Sequence, residues 1–340
     1  MATLKDIARE LKLSPATVSR ALNDYPEVGR ETRERVREAA ARLGYAPNPI
    51  ARRLVGGRSG LIGTVVPKPG DLSVDPSFVE VVSGLAEELA AREMDLVIHV
   101  DTRERPVESY ERLLARNTLD GFVISAPERD DPRLALLRER GVPFVVHGPA
   151  REGDAYYDID NRAVARLAVE HLVAHGHRDI AFLNGPAHLA YARDRVDGFR
   201  EALQVAGIAD RAELLWHDTL SHAAGERLAG DVLDAPSPPT AILCSSTTIA
   251  SGVYAAAEAR GLTVGADLSV VAHDDAPPHI RSQDFRPPLT VTDAPLRDAC
   301  GPIAEMIAAR VADPTAPASH IVAPVRLIER NSTGSAPGVS

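Results

Sequence analysis

Residues 3–23, TLKDIARELKLSPATVSRALN, predict two short helices joined by a tight turn. Thr3 can cap the first helix, because Asp6 stands at its third position. Ser14 is a favourable N-cap, and Pro15 suits the first position of a second helix. Apolar side chains recur at helical spacing in both segments and form the expected inner faces: Leu4, Ile7, Ala8, Leu11, Val18, Ala21 and Leu22. A third helix is predicted over 31–44, with Val36, Ala39, Ala40 and Leu43 inward and a stop at Gly44.

The start of the second helix is suited to contact with DNA. Pro15 and Ala16 are small enough to let the helix backbone approach base edges in a major groove, and Arg20 can make a bidentate contact to guanine. Thr17, Ser19 and Asn23 suit phosphate oxygens, which position a helix without reading sequence. The alternative is an ordinary helical hairpin with an exposed arginine.

Charge is distributed unevenly along the 340 residues. The formal net charge is -10, yet residues 1–58 carry 12 Lys and Arg against 7 Asp and Glu. The remaining residues carry 26 against 41. A basic head therefore precedes an acidic body, which favours a nucleic-acid contact confined to the head.

From residue 61 onward, short apolar runs alternate with amphipathic segments of helical length, the pattern of βαβ units around buried parallel strands. Two lobes are expected, with a boundary near 158–161 and a second crossing near 287–293. A ligand site is expected in the cleft between them, at the carboxyl ends of strands. The predicted strands are LIGTVV (61–66), DLVIHV (95–100), GFVIS (121–125), PFVV (143–146), IAFL (180–183), AILC (241–244) and LSVVA (268–272).

Several protein classes lose support from the sequence. It contains no membrane-length apolar run and no signal peptide, so a soluble cytoplasmic protein is expected. Two cysteines, Cys244 and Cys300, are too few for a disulfide framework and are expected to be buried thiols. No phosphate loop, G-x-G-x-x-G or G-x-S-x-G appears, which disfavours the common nucleotide-binding and hydrolytic enzymes.

The segment TLKDIARELKLSPATVSRALN, followed by VGRETRERVREAAARLGYAPNPIARRL, resembles the headpiece and hinge of the LacI/GalR family of bacterial transcriptional regulators. Later stretches follow in the family's order, so the resemblance covers residues 3 to about 330. These stretches are FVEVVSGLAEELAAREMDLVI, DGFVIS, DIDNRAVARLAVEHLVAHGHRDIAFLNGP, ARDRVDGFREAL and LSVVAHDD. It implies a homodimer on a pseudo-palindromic operator, located in the cytoplasm at the nucleoid. The implied fold is a helix-turn-helix headpiece (1–46), a hinge (47–60) and a two-lobed periplasmic-binding-protein-like core of doubly wound parallel sheets. The core is divided into 61–160, 161–288 and a return to the first lobe over 289–330, before a flexible tail at 331–340.

The resemblance also implies which side chains contact DNA. The family's hinge leucine, here Leu54, wedges into the minor groove at the operator centre. The full set of candidates combines this hinge with the headpiece: Thr3, Ser14, Pro15, Ala16, Thr17, Ser19, Arg20, Asn23, Thr32, Arg52 and Leu54.

Arg193 and Asp274 stand where the family's effector-contacting arginine and aspartate stand, which implies a polyhydroxylated small molecule such as a sugar. Their alternative role is a salt bridge at the surface or between lobes. This chain has Ser246 and Thr247 where relatives commonly carry Asn-Asp, and His147 where an aspartate is frequent. These exchanges keep hydrogen-bonding capacity and remove negative charge. Further candidates to line the site are Tyr191, Leu220 and Phe78, although a place in the core is the favoured interpretation for each.

His175 and His177 are interpreted as structural residues at a helix end, so neither a metal nor a cofactor is expected. A sugar- or metabolite-responsive repressor without enzymatic activity is the favoured function. The alternatives are a solute-binding transport protein, which a signal peptide would have favoured, and an enzyme on the same two-lobed scaffold.

Overall fold

A computed structural model describes residues 3–22, 25–45, 58–66, 76–101 and 106–337. The chain forms two compact units, 1–60 and 61–340. Among the described residues, no helix is both long and apolar enough to cross a membrane.

The described residues of the first unit form a bundle of three helices, α1 (Leu4–Leu11), α2 (Pro15–Leu22) and α3 (Arg30–Arg42). The predicted inner faces meet in one small core, in which Ile7, Val18 and Val36 are fully buried. The predicted helix-turn-helix is therefore confirmed. The third helix ends slightly earlier than expected, and Gly44 follows it with a φ of +63°, the left-handed conformation that glycine adopts most readily.

The described residues of the second unit form two six-stranded sheets, and the first sheet is parallel throughout. Its strands are β1 (Leu61–Val66), β2 (Asp95–Val100), β3 (Gly121–Ser125), β4 (Phe144–His147), β5 (Tyr156–Ile159) and β11 (His320–Ala323), in the order β11-β5-β4-β3-β1-β2. The helices of this first lobe are α4 (Pro76–Ala90), α5 (Pro106–Arg116), α6 (Pro132–Glu139) and α11 (Cys300–Ala312).

The second sheet is parallel except at one edge, where β12 runs antiparallel to β10. Its strands are β6 (Ile180–Asn184), β7 (Leu215–His217), β8 (Ala241–Cys244), β9 (Ser269–Asp274), β10 (Thr290–Asp293) and β12 (Arg326–Ile328), in the order β12-β10-β9-β8-β6-β7. The helices of this second lobe are α7 (Asn161–Ala174), α8 (Ala190–Val205), α9 (His222–Leu233) and α10 (Thr247–Ala259).

The chain crosses between the lobes three times. It leaves the first sheet after β5, and it returns between β10 and α11, close to the two crossings expected from sequence. It then crosses again between β11 and β12, because β12 hydrogen-bonds to β10 in the second sheet. Residues 289–330 therefore divide between the lobes instead of returning only to the first.

All seven strands predicted with bounds are present, with shifts at three of them, whereas β5, β7, β10, β11 and β12 received no bounds from the sequence. Each has only three or four residues, too few to show a clear period, and β11 is largely exposed at a sheet edge. Cys244 and Cys300 are buried free thiols, as expected.

Close contacts between helix backbones compact the second lobe. A Cβ added at Gly198 of α8 would lie 2.1 Å from the Arg162 carbonyl oxygen of α7. One added at Gly225 of α9 would lie 2.2 Å from the Ile249 carbonyl oxygen of α10. Glycine is required at both places, because a backbone carbonyl cannot move aside as a flexible side chain can.

Candidate functional site

The N-terminus of α2 carries the predicted DNA-contacting side chains. The Ser14 hydroxyl accepts a hydrogen bond from the Thr17 backbone N–H at 3.0 Å and lies 2.8 Å from the Thr17 hydroxyl, so it caps the helix as predicted. Pro15, Ala16 and Arg20 are exposed, and Thr17 is half-buried. This end of the helix therefore presents small side chains and one arginine to solvent.

The other headpiece candidates occupy different positions. Thr3 is exposed, and both its backbone N–H and its hydroxyl donate to the Asp6 carboxylate, at 2.9 and 2.7 Å. These hydrogen bonds lower the pKa of Asp6. Ser19 and Thr32 are half-buried, on α2 and in the first turn of α3. Asn23, Arg52 and Leu54 lie outside the described residues.

In the second lobe, a buried arginine lies one turn into α8, and it is Arg195, not Arg193. Its Nε donates to Asn161 Oδ1 at 2.9 Å, and its Nη1 donates to the Ser245 carbonyl and hydroxyl oxygens at 2.7 and 2.8 Å. The guanidinium carbon lies 4.9 Å from the centre of the Tyr191 ring, a cation–π contact. Arg195 thereby joins the starts of α7 and α8 to the end of β8.

One donor group of Arg195 is left for other partners. Its Nη2 has no protein acceptor among the described residues. Burial lowers the pKa of Arg195, and Asp275 opposes that effect. A guanidinium held on two sides, whose Nη2 donates to none of the described residues, is preorganised to bind a polar ligand.

Arg193 has a different environment from the one the sequence predicts. It is exposed, and its Nε donates to the Ala187 carbonyl oxygen at 3.1 Å. The inner face of α8 includes Ala192, Arg195 and Phe199, so helical rotation turns Arg193 away from it. Arg195 precedes the apolar Phe199 by four residues, so the two share one face of the helix, and this spacing could have been used to place Arg195 on the inner face from the sequence.

One carboxylate that interacts with Arg195 belongs to Asp275, the residue after Asp274. Its Oδ1 lies 3.0 Å from His273 Nε2, and its side chain is only 12% exposed. Burial favours a higher pKa for Asp275, but the neighbouring His273, Arg195 and His147 together hold the pKa below its usual value. Asp275 therefore stays ionised beside the arginine.

Asp274 itself is buried and accepts a hydrogen bond from the Ala276 backbone N–H at 2.8 Å. It lines a cavity of about 240 Å³ together with Pro277, Arg281 and Gln283 of the following loop. The sequence prediction selected the first of two adjacent aspartates, and the structure gives them separate surroundings.

His147 brings the first lobe into this cluster. It stands at the end of β4 and is half-buried, and it interacts electrostatically with Asp275 of the second lobe. Burial lowers the pKa of His147 to about 4, an effect that Asp275 opposes, so the ring is neutral near pH 7. A neutral imidazole can both donate and accept a hydrogen bond.

Asp158, near the carboxyl end of β5 in the first sheet, adds a second carboxyl group with a shifted pKa. Its Oδ1 accepts from Asn161 Nδ2 at 3.0 Å. Burial raises the pKa of Asp158 to about 7, with a further rise from Asp194 and an opposing effect of Arg195. Arg195, Asn161, Ser245, Asp275 and Asp158 were not selected from sequence. We name these five residues, with Tyr191 and His147, the Arg195 cluster.

The remaining predicted effector residues lie near strand ends or in the core. Ser246 caps α10 by accepting from the Ile249 backbone N–H at 3.2 Å, and Thr247 begins that helix and is 1% exposed. Leu220 packs against the apolar core of the second lobe. Phe78 is half-buried on α4.

Two family models match the chain. A model described as bacterial regulatory proteins, lacI family, matches residues 3–48, and a periplasmic binding protein-like domain matches residues 169–333.

Similar proteins were found by sequence and by structure. The HTH-type transcriptional regulator AglR of Rhizobium meliloti is 38% identical over 98% of this chain and 95% of its own length. RafR of Escherichia coli is 35% identical over 81% of this chain and 82% of its own. The lac repressor dimer bound to operator and the anti-inducer ONPF superposes with a TM-score of 0.84, at 28% identity over 98% and 99% of the two chains. The CelR–cellobiose complex gives a TM-score of 0.72, at 28% identity over 98% and 100%.

Proposed function

This chain belongs to the lacI family of bacterial regulatory proteins, and we propose that it is a homodimeric repressor whose affinity for a pseudo-palindromic operator is set by a polyhydroxylated effector bound between its two core lobes. It is a DNA-binding transcriptional regulator, as AglR and RafR are. The observation that carries the effector proposal is the Arg195 cluster, which joins residues of both lobes at the carboxyl ends of strands.

The chemistry of this cluster suits hydroxyl groups. The planar guanidinium of Arg195 and the ionised Asp275 offer paired donors and acceptors, which fit vicinal hydroxyls. Neutral His147 adds a group that can donate or accept, and the Tyr191 ring packs against the guanidinium and holds it in place. The cellobiose complex of CelR supports a sugar as the ligand class. We assign the arginine role to Arg195 and the carboxylate role to Asp275, in place of Arg193 and Asp274.

On the DNA side, the exposed start of α2 is the element that enters the major groove. Pro15 and Ala16 allow close approach, and Arg20 reads a base edge. The hydroxyls of Thr17, Ser19 and Thr3 suit phosphate contacts. Leu54 and Arg52 of the hinge remain predictions from the family resemblance, acting at the minor groove of the operator centre.

Ligand binding controls DNA affinity only if the two core arrangements bind the effector differently. A ligand held by His147 on one lobe and Arg195 on the other favours a closed arrangement of the lobes. The lobes are joined by three crossings of the chain, and closure about these crossings turns the first lobe relative to the second. The first lobe follows the hinge directly in sequence, so this movement can affect the hinge. No catalytic step is part of this function.

The first experiment is a thermal-shift screen of the full-length protein against sugars, nucleosides and polyols. A ligand that binds only the folded protein raises the melting temperature, and polyhydroxylated compounds are expected to do so. A screen in which only charged metabolites stabilise the protein contradicts the proposed effector class.

The second experiment measures binding to the DNA upstream of the protein's own coding region across a salt series. Affinity is expected to fall steeply with salt, by about 0.9 in the logarithmic slope for each phosphate contacted. Affinity that is insensitive to salt, or equal for random DNA, contradicts the proposal. Adding the effector then gives the polarity of control, because an inducer lowers operator affinity and a corepressor raises it.

A further inference from the structure

The end of α7 carries a cluster of metal-binding side chains that takes no part in the proposed effector site. His171 lies in the last turn of this helix, His175 caps its end one turn later, and Glu329 follows directly after β12. One potential ligand atom from each of the three lies within 4.8 Å of the others. His171 Nδ1 is 4.0 Å from a Glu329 carboxylate oxygen, and the two imidazole centres are 4.4 Å apart.

Hydrogen bonds already orient both imidazoles. His175 Nδ1 lies 2.9 Å from the His171 carbonyl oxygen, which can only accept, so this nitrogen carries the hydrogen and Nε2 carries the lone pair. His171 Nε2 lies 2.9 Å from the Thr333 hydroxyl, and donation to that oxygen leaves the lone pair on Nδ1, which faces Glu329. Metal-binding histidines are held in the same way, with the second ring nitrogen donating to a carbonyl or hydroxyl oxygen.

We propose that His171 Nδ1, His175 Nε2 and the Glu329 carboxylate bind one divalent transition-metal ion, with zinc as the ion that this ligand set favours and water as its fourth ligand. Two ligands of a tetrahedral zinc ion lie about 3.4 Å apart, so the 4.0 Å between His171 Nδ1 and the Glu329 carboxylate oxygen must shorten by roughly half an ångström. Glu329 can supply that movement, because its side chain is 63% exposed. The carbonyl end of α7 further favours a cation.

The neighbouring His177 is not part of this set. Its Nδ1 lies 2.9 Å from the Thr240 hydroxyl and its Nε2 lies 2.9 Å from the Ser269 hydroxyl, so both ring nitrogens are occupied. The sequence shows His175 and His177 as the adjacent pair, whereas the structure pairs His175 with His171.

A metal ion here would fasten the C-terminal segment to the second lobe. The segment after β12 already contacts the base of that lobe, because the Ala336 backbone N–H donates to the His175 carbonyl oxygen at 2.8 Å. The site is separate from the Arg195 cluster, since Asn161 and His171 stand at opposite ends of α7. A 14-residue helix is about 21 Å long.

The test is a titration of chelator-treated, full-length protein with Zn²⁺ by calorimetry and with Co²⁺ by visible absorption. One ion per protomer is expected, with the intense d–d bands of tetrahedral Co²⁺ and a rise in melting temperature of about 3 to 5 °C at saturation. Glu329→Gln and His175→Ala are each expected to weaken binding at least tenfold. His279→Ala removes an exposed histidine elsewhere in the second lobe and is expected to leave binding unchanged.

Circular dichroism of each variant separates lost binding from lost folding. Glu329→Gln retains the shape of an exposed side chain, so it keeps the test valid even if His175→Ala is poorly folded. Wild-type affinity in Glu329→Gln, equal losses in His279→Ala, or Co²⁺ spectra of an octahedral aqua ion would overturn the proposal.

Discussion

Replacing Arg195 by alanine should abolish the response to effector at ordinary concentrations, whereas replacing Arg193, two residues earlier, should not. Arg195 is 5% exposed and donates three hydrogen bonds, to Asn161 and Ser245. Arg193 is exposed and donates one, to the Ala187 carbonyl oxygen. Both substitutions remove the same side chain from the same helix, so each serves as the control for the other.

The expected magnitudes follow from these contacts. A hydrogen bond between a charged group and a ligand contributes about 1.5 to 3 kcal/mol, so Arg195→Ala should raise the effector concentration at half-response roughly 10- to 150-fold. The same variant leaves the Ser245 and Asn161 oxygens without their donor. Its free energy of unfolding should fall by about 2 to 4 kcal/mol. This loss is reduced by the desolvation cost of the buried guanidinium, which the substitution removes. Arg193→Ala should change either quantity by less than about 0.5 kcal/mol.

The assay is fluorescence anisotropy of labelled operator DNA, titrated with the effector found in the thermal-shift screen. Wild type and Arg193→Ala should share one midpoint. Arg195→Ala should bind operator normally and respond only at much higher effector concentration. Arg195→Lys keeps the positive charge but loses the planar fork, and it should fall between them. A shifted midpoint in Arg193→Ala, together with a wild-type midpoint in Arg195→Lys and Arg195→Ala, would refute the assignment.

Three further predictions concern DNA reading, pH dependence and packing. Arg20→Ala should weaken operator binding by about 1 to 3 kcal/mol and relax the preference at one base position, measured with a series of operators mutated one base pair at a time. Arg9→Ala, at an exposed site on the other helix of the motif, should retain that preference. Because the pKa of Asp158 is raised to about 7, the folded protein holds this proton while the unfolded chain releases it near pH 4. The free energy of unfolding should therefore fall between pH 4 and pH 7, by up to about 1.4 kcal/mol per pH unit. Asp158→Asn should flatten this pH dependence in melting curves. The same pH dependence in both proteins would contradict the assignment. Gly225→Ala should destabilise the second lobe by about 1 to 3 kcal/mol in denaturant unfolding, because its Cβ would meet a carbonyl oxygen at 2.2 Å. The control is Gly301→Ala, whose Cβ would have its nearest contact at 3.7 Å, and it should be neutral or slightly stabilising.

The elements that sequence predicts well are those decided by local interactions. The Ser14 cap and Pro15 start α2 through contacts within one turn, and the strands in the middle of each sheet are mostly apolar because both their faces are covered. The short edge strands depend on pairing with distant strands. β12 is three residues long and joins the second sheet only through β10, which lies more than thirty residues earlier in the chain.

The candidate site shows the same division more sharply. The sequence by itself determined the family, and it predicted the helix proposed to face DNA and the segments that hold the proposed effector site, because these depend on residue patterns along contiguous stretches. Only the tertiary structure shows which residue of each segment lies in the Arg195 cluster. Helical rotation separates Arg195 from Arg193, and adjacent aspartates at a strand end have different neighbours. The pairing of His171 and His175 with Glu329 spans more than 150 residues, so no local pattern contains it, and it forms only because β12 returns to the edge of the second sheet.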